Sequence, residues 1–151
     1  MKVGDYTFNG NDAKTAKSII KLKDTILNGT LLAIDPASKS VGYAVFEKGE
    51  LHISGSYKAS GSIGPRLKEI GDFLVQFEDP DVLAIEKVRT HSGHHMLTWG
   101  AGHAVGAVGA ETTIEITCSM WKKVAGAQHI KSDENDAIAI GELVLYICRE
   151  G

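Results

Sequence analysis

The chain has 151 residues, 43% hydrophobic and 23% charged, which is enough for one hydrophobic core and too few for two ordinary domains. No run approaches the ~20 apolar residues of a membrane span, and the opening MKVGDYTFNGNDAK lacks the apolar stretch of a signal peptide, so a soluble cytoplasmic protein is expected. A formal net charge of −3 argues against nucleic acid as a partner, because phosphate binding usually leaves a basic footprint, and Cys118 and Cys148, without C-x-x-C spacing, read as buried free thiols rather than a zinc ribbon or redox pair.

Residues 11 to 28 open with Asn-Asp capping chemistry and space Ala16, Ile19, Ile20, Ile26 and Leu27 helically among lysines, predicting an amphipathic helix closed by Gly29. It is expected to form an N-terminal helical extension, residues 1–30, ahead of a single domain at 31–151. Three antiparallel strands follow at 31–35, 41–49 and 51–60, the last two joined tightly at Lys48-Gly49. Period 3.6 returns over 63–77, with Leu67, Ile70, Phe73 and Leu74 on one side, and the segment DPDVLAIEKV then turns into a fourth strand parallel to the sheet. Residues 96–110 are glycine-rich but spaced for close helix packing, TTIEIT is a fifth strand, and SDENDAIAIGELVLYICRE is a final helix with Ser132 as N-cap. The order β-β-β-α-β-α-β-α makes an α/β fold.

The two most apolar strands rhyme, LLAID ending in Asp35 and VLAIE ending in Glu86. Such runs mark strands buried on both faces, and functional groups of α/β sheets gather outside their carboxyl ends. Asp35-Pro36 also reads as a turn starter and Glu86-Lys87 as a solvated pair. Asp133 and Asp136 are three apart on the first turn of the last helix, and the Ala-Ile-Ala-Ile after Asp136 buries that helix. Asp133 also suits a helix dipole, whereas Asp136 lies beyond the usual capping position. Convergent carboxylates repel unless cations neutralise them, and hard oxygen ligands suit Mg²⁺ or Mn²⁺ rather than zinc.

DPASKSVGYAV, AIEKV, WKKVAG and KSDENDAIAIG, in this order over roughly residues 31 to 148, resemble the signature blocks of the RuvC family of Holliday junction resolvases, within the ribonuclease H-like superfamily. The resemblance implies a ribonuclease H-like fold with a five-stranded mixed sheet flanked by helices, and a site in which Asp35, Glu86, Asp133 and Asp136 bind two Mg²⁺ ions, replaceable by Mn²⁺. It also implies a homodimer on branched DNA, four-way junctions above all, with the 96–110 helix at the dimer contact and no membrane partner. This chain departs from the family pattern at Ala37, usually Gly, and at Arg89, where relatives carry an aromatic wedge. Its final connection is shortened and its N-terminal helix is an addition, which together resemble phage-encoded members working in bacterial or phage-infected host cytoplasm.

Between residues 87 and 131 the basic side chains Lys87, Arg89, Lys122, Lys123 and Lys131 outnumber the acids Glu111 and Glu115. Of these, Arg89, Lys122, Lys123 and Lys131 are the expected DNA-binding residues, since phosphate neutralisation dominates affinity; a solvated charged turn explains the lysines equally. His91, His94 and His95 offer no fourth zinc ligand at standard spacing and read as a DNA-facing loop. Competing readings are a ribonuclease H-like nuclease of flaps, forks or RNA-containing duplexes, a non-catalytic DNA-binding scaffold, and a phosphate-binding module of the actin and sugar-kinase type, which needs a second lobe.

Overall fold

The computed structural model describes residues 1–37, 39–77, 79–88 and 95–151. Among these, a hairpin of β1 (Lys2–Val3) and β2 (Tyr6–Thr7) precedes α1 (Gly10–Lys21) and α2 (Lys23–Asn28). Then come β3 (Thr30–Pro36), β4 (Ser40–Glu47), β5 (Glu50–Lys58), α3 (Ile63–Leu74), β6 (Val82–Glu86), α4 (His95–Val108), β7 (Thr112–Ile116), α5 (Cys118–Ala125) and α6 (Asp133–Glu150). The main sheet runs β5-β4-β3-β6-β7, with β4 antiparallel to its neighbours and β3, β6 and β7 mutually parallel. The central position of β3 and β6 explains their unbroken apolar sequences, since both faces of each are covered.

Alternation along the strands divides the core in two. Leu31, Ala33, Ala44, Phe46, Val82 and Ala84 face α1, α2, α5 and α6, whereas Leu32, Ile34, Val45, Leu83 and Ile85 face α3 and α4. Ile70 and Leu74 of α3 and Ala104 and Val108 of α4 fill the second layer. The β4–β5 connection is the expected two-residue turn: Lys48 and Gly49 both have positive φ, 52° and 80°, the geometry that matches the twist of a hairpin.

Three local expectations are corrected. The predicted single helix over 11–28 is two, parted at Leu22, whose N–H bonds back to Ile19, at 3.0 Å. Its Asp12 does not cap α1 but reaches across to α5. WKKVAG, for whose lysines a solvated charged turn is the alternative to DNA binding, lies largely within α5, where Met120 and Trp121 are buried; so short a helix shows little periodicity. Phe8, Ala16, Ile19 and Ile26 of the first 30 residues share the core of α6 and the sheet, each large one contributing roughly 1.5–3 kcal/mol by burial. Cys148 is buried and Cys118 half-buried, and both are free thiols.

Candidate active site

Asp35 continues the face of β3 that carries Leu31 and Ala33, and Glu86 continues the face of β6 that carries Val82 and Ala84. Parallel pairing sets Ile34 beside Ile85, so the two acids leave adjacent strands at one carboxyl edge, on the α6 side. Gly42 stands across from Asp35 in β4. A Cβ at Gly42 would collide with the Asp133 backbone carbonyl, and one at Gly141 with the Phe46 ring. The two absent side chains let α6 lie close on β4 and bring its first turn to Asp35. Ser132 caps that turn, its hydroxyl accepting from the Asn135 N–H at 3.0 Å, as the sequence predicts.

Asp35 is 7% exposed and Asp136 6%. Burial pushes the Asp35 carboxyl up to about 9, reinforced by a hydrogen bond with Glu86 and by the negative charges of Glu86, Asp136 and Asp133. The other three predicted acids thus lie near enough for their charges to act on the Asp35 carboxyl. Asp133 accepts from Ser40 Oγ at 2.5 Å, Glu86 accepts from Trp121 Nε1 at 3.2 Å, and Asp136 Oδ1 lies 2.7 Å from His129 Nε2. The His129 and Trp121 rings meet edge to face with centroids 5.2 Å apart. Ser40, Trp121 and His129 escape sequence reasoning, because nothing in their spacing from the acids signals contact.

Among the described residues no three His, Cys, Asp or Glu side chains already form a metal cage. The donor set nevertheless fits a hard divalent cation: it is rich in carboxylate oxygen, and the neighbouring charges that raise the Asp35 pKa are ones a cation would neutralise. Mg²⁺ at about 100 times its Kd should therefore add about 2.7 kcal/mol of stability, raising Tm by about 5–10 °C. A melting curve indifferent to millimolar Mg²⁺ and Mn²⁺ would show that the acids do not act jointly on a cation.

The expected DNA-binding residues separate. Lys122 is exposed beside the site, its ammonium 5.6 Å from the Trp121 ring centre. Its pKa is raised, first by the Cys118 thiol within hydrogen-bonding reach and then also by the charges of Glu86 and Asp136. Lys123 instead donates to the Thr7 carbonyl at 2.7 Å, so its charge is engaged by the N-terminal hairpin. Lys131 is exposed just ahead of α6. Arg89, His91 and His94 lie outside the described residues, and His95 is the first residue of α4.

No protein-family model matches the sequence, and no curated protein matches it. Solved structures do. Thermus thermophilus RuvC in complex with a Holliday junction substrate superposes with a TM-score of 0.64 and 18% identity, covering 82% of this chain and 96% of that one. A second structure of Thermus thermophilus RuvC gives 0.64 and 18%, covering 80% and 95%. The fold is that of RuvC. A Bacteroides thetaiotaomicron protein of actin-like ATPase fold and unknown function reaches a TM-score of only 0.38 at 12% identity, covering 69% of this chain and 38% of that one, too slight a likeness to weigh. The RuvC fold agrees with the ribonuclease H-like class expected from the sequence, with its five-stranded mixed sheet flanked by helices. Among the described residues, no helix is long and apolar enough to cross a membrane.

Proposed function

We propose that the protein is a magnesium-dependent, structure-selective endonuclease that resolves four-way DNA junctions. The reading is carried by the placement of Asp35 and Glu86 on adjacent strand ends with Asp133 and Asp136 on the first turn of the helix packed against them, at the carboxyl edge of a sheet whose fold is shared with a protein solved on a Holliday junction substrate. The four acids would hold two divalent ions, Mg²⁺ or Mn²⁺. Such ions, when bound, polarise a phosphodiester and lower the pKa of an attacking water. The chain's own residues prepare the place: Asp35 gives up its proton, Trp121 and His129 each engage one oxygen of Glu86 and Asp136, and Lys122 offers charge to a phosphate beside them.

Resolution requires symmetric cuts in two strands, which an isologous dimer supplies. We assign that contact to α4, where Gly102 and Gly106 are exposed on one face with open space in place of a neighbour, next to an exposed Trp99. The test is incubation of the full chain with a mobile four-way junction, a flap and a linear duplex in Mg²⁺. Paired nicks in the junction leaving 5′-phosphate and 3′-hydroxyl ends are expected. Preferential flap or fork cleavage would replace the substrate, and binding without cleavage would leave a DNA-binding scaffold.

Arg89 follows three positions after Glu86, and a guanidinium there recognises junction DNA through charge and stacking rather than an apolar wedge. Arg89→Ala should weaken junction binding and reduce the salt slope by about one, whereas Arg89→Phe should sharpen site choice. Unchanged affinity, slope and cleavage pattern in Arg89→Ala would remove this residue from the DNA surface.

A further inference from the structure

Both ends of α5 are tied to the N-terminal segment. The Asp12 carboxylate of α1 accepts from Thr117 Oγ1 at 3.0 Å and from Ser119 Oγ at 3.2 Å, one hydroxyl on each oxygen. Thr117 is itself the N-cap of α5, accepting from the Met120 N–H at 3.4 Å, so the Asp12 charge also sits at the positive end of that helix. In the last turn, Lys123 Nζ donates to the Thr7 carbonyl at 2.7 Å and lies 5.3 Å from the centre of the Phe8 ring. Between these ties, Trp121 carries its indole N–H to Glu86, and the chain leaving α5 brings His129 against both Trp121 and Asp136.

We infer that the N-terminal segment, through Asp12 of α1, is a strut of the catalytic site: it fixes α5, and through it the positioning residues Trp121 and His129 that orient Glu86 and Asp136. The inference rests on these acids forming the site proposed above. Partners that orient metal-ligating side chains are commonly worth about 10- to 100-fold in metal affinity or activity, and Asp12 acts one contact further out.

The experiment compares Asp12→Ala with Tyr146→Phe in the full chain. Tyr146→Phe removes the bond between the Asp5 N–H and the Tyr146 hydroxyl, 3.0 Å, which anchors the N-terminal hairpin to α6 without touching α5. The first readout is the metal-free indole N–H resonance of Trp121 in ¹⁵N-labelled protein, assigned with Trp99→Phe, the chain having 2 tryptophans. Asp12→Ala should move that resonance toward the free-indole position, the direction expected of Glu86→Ala, which removes the acceptor of the Trp121 N–H, and Tyr146→Phe should leave it in place. The Mg²⁺ midpoint followed by Trp121 emission in the Trp99→Phe background should rise by about threefold or more in Asp12→Ala only, with junction affinity unchanged, and Asp12→Asn, which keeps one acceptor oxygen, should restore part of the loss.

A folded Asp12→Ala whose indole resonance and Mg²⁺ midpoint match the parent's overturns the strut. If Asp12→Ala does not fold, Ser119→Ala, at an exposed position, decides by the same resonance. Should the parent neither bind Mg²⁺ nor cut DNA, the nuclease reading fails, while the metal-free resonance still decides whether Asp12 positions Trp121.

Discussion

Asp35→Asn is expected to lower junction cleavage by about 10³-fold or more, roughly 4 kcal/mol of barrier, with junction binding largely kept and the metal-free protein made more stable. Asp35 is buried and its carboxyl is pushed up to about 9 by that burial, by the hydrogen bond with Glu86, and by the charges of Glu86, Asp136 and Asp133. Its unfolded value is 3.8, so between the two the folded state binds a proton that the unfolded state lacks. Stability from this group is fully present below about pH 4 and is lost progressively as pH rises toward 9, each unit of pKa separation being worth about 1.4 kcal/mol.

An amide at position 35 cannot ionise, so the variant should lose this decline and melt above the parent at pH 8 in EDTA. Saturating Mg²⁺ should flatten the parent's curve likewise, because a cation takes over the role of the proton, and Mg²⁺ should bind more tightly as pH rises. Glu86→Gln should lose cleavage to a similar extent. Near-parental cutting by either variant removes these acids from the chemistry; a parent whose metal-free melting temperature does not fall between pH 5 and pH 9 shows that Asp35 keeps an ordinary carboxyl.

Gly42→Ala is expected to be the most damaging single-methyl change in the sheet. The added Cβ would occupy the place of the Asp133 carbonyl, and backbone on both sides leaves no flexible side chain to give way. Strain of this kind usually costs about 1–3 kcal/mol. Here the relief available is withdrawal of the first turn of α6 from β4, which carries Asp133 and Asp136 away from Asp35. Cleavage should therefore fall by about 10²-fold or more, beyond what the stability loss explains, because misplacement by about 1 Å is enough for that. Ser40 should also lose its bond to Asp133. The measurement is cleavage at a temperature where circular dichroism shows the variant folded. Cleavage at parental rates in a folded Gly42→Ala would mean that the α6–β4 approach does not set the site.

Much of the fold is legible in the residue pattern. The unbroken apolar runs of β3 and β6, the Lys48-Gly49 turn, the 3.6 period of α3 and the Ser132 cap each report a local rule that tertiary packing does not oppose. The acids are legible for the same reason. A carboxylate at the end of a doubly buried strand, or beside a buried helical run, contradicts its surroundings and so stands out. The β1–β2 hairpin, with two residues per strand, is too short to show alternation, and α5, with eight, is too short to show a helical stripe.

What the sequence determined by itself is the order of the longer elements of the main sheet and its helices, and which carboxylates reach the sheet edge, since both follow from periodicity along the chain. Only the tertiary structure decided what each acid touches. Ser40 meets Asp133 across 93 positions, Trp121 meets Glu86 across 35, and Asp12 meets Thr117 across 105. These bonds exist because Gly42 and Gly141 let α6 approach β4 and because the N-terminal helices close over α5. Hydrogen bonds between side chains are directional and short-ranged, so they depend on how whole elements pack, which no local spacing encodes.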